Sequence, residues 1–74
     1  MVDDPAMRDV SISDEVIRLG QLLKLAGLVQ SGGDVKAVLA TGVVRVNGEV
    51  EIRRGRRLHR GDVIAVERHQ LRVV

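Results

Sequence analysis

The chain contains no cysteine, tryptophan, tyrosine or phenylalanine, and only one proline in 74 residues. Without cysteine there is no disulfide framework and no thiolate metal site, which agrees with a cytosolic protein. Without aromatic rings no base can stack on a Phe, Tyr or Trp platform, so nucleic-acid modules built on such platforms are excluded. No apolar run approaches the roughly 20 residues of a membrane span. The start, Met1-Val2-Asp3-Asp4-Pro5, is acidic and lacks the basic-then-apolar order of a signal peptide. No membrane partner is expected, and the expected location is the cytoplasm.

Catalytic groups are equally scarce. The three serines, Ser11, Ser13 and Ser31, have no histidine close in sequence. His59 and His69 lie ten residues apart with no third ligand at a suitable spacing, which argues against zinc. Glu49 and Glu51 fall on one strand face and read as exposed carboxylates in weak surface ion pairs with nearby arginines, not as an acid/base pair. The expectation is a non-enzyme with no cofactor and no metal.

Charge is present and unevenly placed. The net charge is +2. Residues 1–42 carry four basic and six acidic groups, whereas residues 43–74 carry eight basic groups, all arginine, and four acidic ones. A sign change between halves suggests a polyanionic partner for the basic half. Within it, Arg53-Arg54-Gly55-Arg56-Arg57-Leu58-His59-Arg60-Gly61 holds five of the twelve basic side chains. The planar guanidinium fork can bind a phosphate through two parallel hydrogen bonds. This points to phosphate contact, while charge alone cannot separate RNA from DNA.

Length allows one domain, with a limited core and marginal stability. Residues 1–9 read as a flexible polar leader, and 10–74 as the domain. Val10-Ser11-Ile12 alternates like a short strand, and Val16-Ile17-Arg18 either extends it or leads into a helix. Leu19, Leu22, Leu23 and Ala26 form one helical face, stopped by Gly27. Ser31-Gly32-Gly33-Asp34 resembles a capping box, after which Val35, Val38 and Leu39 share a second helical face and Gly42 ends it. Val44 and Val46 alternate with Arg45, and Asn47-Gly48 signals a tight hairpin. Val50 and Ile52 are then expected on the inner face of the return strand. Gly61-Asp62 reads as a turn, Val63 to Val66 as a buried strand, and Leu71 with Val73 as a last short strand. The fold class is α+β: two short helices packed on a small, mostly antiparallel sheet.

Arg18-Leu19, Leu23, Gly27, Ser31, Lys36, Leu39, Gly42-Val43-Val44-Arg45-Val46-Asn47-Gly48, Leu58 and Gly61-Asp62-Val63-Ile64 occur in an order that resembles the S-four-type RNA-binding domain, or alpha-L motif. The resemblance spans residues 18–66. Leu19-Gly20-Gln21, Leu23-Lys24-Leu25-Ala26-Gly27, Gly32-Gly33, Val46-Asn47-Gly48-Glu49 and Arg53-Arg54-Gly55-Arg56 look most like its small stand-alone bacterial, YbcJ-like members. Two positions depart from the family: Gly20 replaces an acidic residue, and Gly32 replaces an arginine expected to contact phosphate. The resemblance implies binding of structured RNA, with rRNA or tRNA as the class, by a monomer that can also meet ribosomal or ribosome-associated proteins. The implied contact set is Lys24, Ser31, Gly32, Gly33, Lys36, Arg45, Arg53, Arg54, Arg56 and Arg57. The rival reading is a protein-interaction module docking an acidic partner.

Overall fold

The computed structural model describes residues 7–74. Of the expected leader, residues 1–6 lie outside the described residues. Arg8 and Asp9 are not leader but strand: β1 spans Arg8–Val10 and pairs in parallel with the last strand. The remaining elements are β2 Val16–Arg18, α1 Leu19–Leu25, α2 Gly32–Ala40, β3 Val44–Val46, β4 Glu49–Val50, β5 Arg57–His59, β6 Val63–Val66 and β7 His69–Val73. One sheet has the order β1-β7-β6-β3-β4, antiparallel except for β1–β7, and β2 and β5 form a separate antiparallel ribbon. The α+β architecture expected from the sequence is the one observed. Val16-Ile17-Arg18 is a strand that runs directly into α1.

Local chemistry sets the helix ends. At the end of α1, Gly27 takes φ +76°, and the amides of Leu28 and Gly27 donate to the carbonyls of Leu23 and Lys24, both at 3.0 Å. This is the Schellman arrangement, which glycine adopts without a Cβ penalty. Arg8 adds a cap from β1, its Nη1 donating to the Ala26 carbonyl at 2.8 Å. At the start of α2 the Ser31 hydroxyl oxygen accepts from the Asp34 amide at 3.2 Å, as the capping pattern predicts.

The predicted apolar faces meet in a single core. Leu19, Leu22 and Leu23 of α1, Val35 and Leu39 of α2, Val44 and Val46 of β3, Ile64 of β6, and Leu71 and Val73 of β7 are all buried. Leu58 joins them from β5, so the arginine-rich segment carries its own core anchor.

The return strand after the hairpin corrects the sequence reading. Val50 and Ile52 are 50% and 65% exposed, whereas Glu51 is 6% exposed. The cause is the turn. Asn47 and Gly48 both have positive φ, 51° and 88°, which closes a two-residue loop with Val46 opposite Glu49 and Arg45 opposite Val50. The Glu51 amide then donates to the Val44 carbonyl at 3.0 Å. Directly opposed residues share a face. Positions 49 and 51 therefore lie on the side of Val46 and Val44, and positions 50 and 52 face away.

Candidate nucleic-acid interface

The segment between β4 and β5 is built around one carboxylate. Glu51 Oε2 accepts from the amides of Ile52 and Arg53 and from Arg53 Nε, each at 3.0 Å, while Oε1 accepts from Arg53 Nη2 at 3.0 Å and Arg56 Nη1 at 2.9 Å. The expectation of a weakly paired, exposed Glu51 is thus overturned. The side-chain hydrogen bond from Arg53, the Arg53 amide and the Arg56 guanidinium hold the Glu51 carboxyl well below the usual carboxylate range, against the opposing effect of burial. Glu49, at the hairpin tip, is exposed.

From the other side the segment is pinned by α1. The first amides of a helix have no acceptor within it. Here Leu19 donates to the Arg56 carbonyl at 2.8 Å and Gly20 to the Arg54 carbonyl at 2.9 Å. Arg18 Nη1 donates to the carbonyl between them, that of Gly55, at 3.0 Å. Three successive carbonyls are therefore fixed by three successive residues of the β2–α1 junction. The same approach explains the departure at position 20. A Cβ there would stand 3.5 Å from the Arg54 carbonyl oxygen, an ordinary contact, and 3.2 Å from Val35 Cγ1, so any larger residue requires Val35 to yield by a few tenths of an ångström.

With backbone and carboxylate so arranged, the four arginines divide into two pairs. Arg53 and Arg56 are joined to Glu51. Arg54 and Arg57 make no side-chain hydrogen bond or ion pair among the described residues. Arg57 lies opposite Arg18 in the β2–β5 ribbon, and both residues are exposed. Arg54 lines a small cleft together with Arg18, Lys24, Gln21 and Gly20. Its guanidinium also reaches the start of α2: a Cβ on Gly32 would lie 3.9 Å from Arg54 Nη2. An arginine from the loop thus stands beside the position where the resemblance leads one to expect an arginine from the helix.

The other implied residues are placed less uniformly. Lys24 joins the cleft. Lys36 is exposed on α2, one helical turn beyond Gly32 and so on the same strip of surface. Ser31 spends its hydroxyl on the Asp34 amide, and the first-turn amides of Gly32 and Gly33 have no acceptor in their own helix. Arg45 stands apart: it is on the outer face of the large sheet, beside Val50 and Ala65, with Nη1 donating to the Gly48 carbonyl at 3.3 Å. Arg18 is the residue that sequence reasoning passed over. Its adjacency to Arg57 comes from strand pairing across almost forty positions, which leaves no local signal.

The Gly61-Asp62 turn is locked to the hairpin and carries no free acid. Burial opposes ionisation of Asp62, but the His59 amide at 2.7 Å and Asn47 Nδ2 at 3.1 Å hold its carboxyl below the ordinary value. His59 is exposed, 3.9 Å from Asp62. Among the described residues no group of three or more acidic or histidine side chains could hold a metal ion, and no helix is long and apolar enough to cross a membrane.

Residues 10–74 match the family model of the S4 domain. The chain is 52% identical over 58 residues to a "Probable ribosome maturation protein RlbA" of Bacillus subtilis (strain 168), an alignment covering 78% of this chain and 82% of that protein. It is 36% identical over 58 residues to a "Putative RNA-binding protein YbcJ" of Escherichia coli (strain K12), covering 78% and 83% respectively. The pinned loop, the helix pair and the hairpin all fall within the matched region, and the chain belongs to the S4 domain family.

Proposed function

We propose that this protein is a non-enzymatic RNA-binding module that grips structured RNA by its phosphates, with rRNA as the leading class and tRNA as the next. The observation that carries the reading is the placement of Arg18 beside Arg57, with Arg54 and Lys24 on the adjoining cleft and no carboxylate paired to any of the four among the described residues. Like charges placed side by side repel, and a bound phosphate relieves that repulsion. Lys36 and the first-turn amides of α2 extend the track. Arg53 and Arg56 hold the loop in place, and Arg45 serves a separate face. The names of the two relatives, one a ribosome maturation protein and the other an RNA-binding protein, support RNA over DNA and the ribosome as the setting. Without aromatic platforms, recognition rests on shape and backbone.

The test is binding across a salt series to rRNA hairpin fragments, to tRNA and to a matched duplex DNA, comparing wild type with an Arg54→Ala/Arg57→Ala variant. For every phosphate that the variant leaves unneutralised, the slope of log affinity against log salt should flatten by about 0.7–0.9. Equal binding to RNA and duplex DNA, or equal slopes for the two proteins, would refute the reading. A second reading, docking of the basic face to an acidic protein, gains apolar contact area from Val50 and Ile52, which stay exposed near the basic loop. It predicts loss of protein binding, with RNA binding intact, when both are changed to Thr.

A further inference from the structure

Glu51 is an odd resident for a basic loop. A single carboxylate sits among four arginines, is almost wholly buried, and accepts five hydrogen bonds, every one from residues 52–56. If attraction to polyanions were the only requirement, a neutral residue here would serve better, because it would raise the local positive charge. The geometry answers that objection. Two of the five bonds come from backbone amides and fix the turn out of β4. Three come from guanidinium groups and tie Arg53, whose side chain stays 72% exposed, and the more buried Arg56 to the same carboxylate. Leu58, fully buried one residue past Arg57, and the α1 amides on the Arg54 and Arg56 carbonyls complete the clamp. Between these fixed points, Arg54 reaches toward Gly32 and Arg57 stands opposite Arg18.

We propose that Glu51 is a positioning residue for RNA binding: it uses Arg53 and Arg56 as anchors so that Arg54 and Arg57 are held ready for phosphate before the RNA arrives. The inference rests on the RNA-binding reading above and adds to it a division of labour within the arginine run. A loop ordered in advance loses less conformational freedom on binding, and the proposal requires that the affinity gained that way exceed what one extra positive charge would supply.

The consequence runs against simple electrostatics. Glu51→Gln and Glu49→Gln each remove one negative charge from the same hairpin arm, but only Glu51 holds the loop; Glu49 is exposed at the turn. Affinity for an rRNA hairpin fragment, with tRNA as a second probe, is expected to fall about tenfold in Glu51→Gln. Its salt slope should not shrink, because no cation is removed. Glu49→Gln should bind as wild type or somewhat tighter. Glu51→Asp, which keeps the charge but shortens the reach, should fall between. Amide exchange of residues 52–56, read by NMR on the free proteins, should accelerate in Glu51→Gln and not in Glu49→Gln.

Equal or tighter RNA binding by Glu51→Gln overturns the proposal, as does unchanged amide exchange in its loop. A general loss of structure would be seen as exchange rising throughout the core, at Leu23 and Ile64 as well. In that case Glu51→Asp decides: wild-type affinity in a folded Glu51→Asp protein with a loosened loop overturns the inference, and reduced affinity sustains it. If wild type itself shows no preference for RNA, or the Arg54→Ala/Arg57→Ala variant binds as well as wild type, the RNA reading falls and this inference with it.

Discussion

Arg18 and Arg57 are register partners in the β2–β5 ribbon, two exposed arginines directly opposite one another. Directly opposed like charges destabilise a strand pair, by up to about 1 kcal/mol. Arg57→Thr should therefore raise the thermal midpoint of the free protein by a few degrees, since about 1 kcal/mol moves a domain of this size by roughly 4–8 °C. The same variant should bind RNA less tightly. Thermal scans in low salt, with and without inorganic phosphate, check both halves: phosphate should stabilise wild type more than the variant.

The Glu51 carboxyl is held below its ordinary value of 4.5 by Arg53 and Arg56, and the Asp62 carboxyl is held below 3.8 by the His59 amide and Asn47. A depressed carboxylate contributes stability that is fully present above its unfolded pKa and is lost as pH falls toward the folded value. Urea unfolding midpoints should be level above about pH 6 and decline from about pH 5 downward. In Glu51→Gln the midpoint should be lower at neutral pH, and the decline below about pH 5 shallower. A parallel decline in the two proteins would show that Glu51 does not carry the effect.

The arginine run is tied to the core by Leu58, while Ile52, just ahead of the run, points to solvent. Leu58→Ala should cost about 2–5 kcal/mol, enough to unfold much of so small a domain at moderate temperature. Ile52→Thr should change stability by no more than about 0.5 kcal/mol. Chemical denaturation of the two variants tests the register directly, because a slip of one position would reverse the roles of residues 51 and 52.

Gly20 is expected to resist substitution. Gly20→Ala brings a methyl group to 3.2 Å from Val35, a buried β-branched residue with little freedom to turn aside. A destabilisation of about 1 kcal/mol is expected. Gly20→Asp should in addition place a carboxylate beside Arg18, Lys24 and Arg54 and weaken RNA binding beyond what the reduced stability explains. Affinity measured on the folded fraction separates the two effects.

What could be read in the sequence was mostly what the chain decides locally. Gly27, Gly42, Ser31 and Asn47-Gly48 each act through their own few neighbours, so the helix limits and the hairpin were legible. So was the apolar face of α1. The inward position of Glu51 was legible in principle: a two-residue turn after Val46 puts residue 49 opposite it, and alternation then carries residue 51 inward with Val44. Assigning Val50 and Ile52 to the core gave weight to their apolar character over that register. The strand at Arg8–Val10 and the Arg18–Arg57 adjacency were not legible, because each depends on a partner strand far along the chain. For the same reason the arginine run read as four equivalent cations, when one carboxylate divides it into two that hold and two that are free.

The parallel pairing of β1 with β7 joins Arg8 to Leu71 and Val10 to Val73, and it continues past the strand in bonds between Val74 and both Val10 and Ile12. The first strand thus waits for the last, and during synthesis it has no partner until nearly the whole domain has left the ribosome. Closing so long a loop is entropically slow. Until the clasp shuts, the C-terminal end of α1 lacks its Arg8 cap. Removing the last few residues should therefore do more than fray a terminus: it would unfasten the opposite end of the chain and, through Arg8, loosen the first helix.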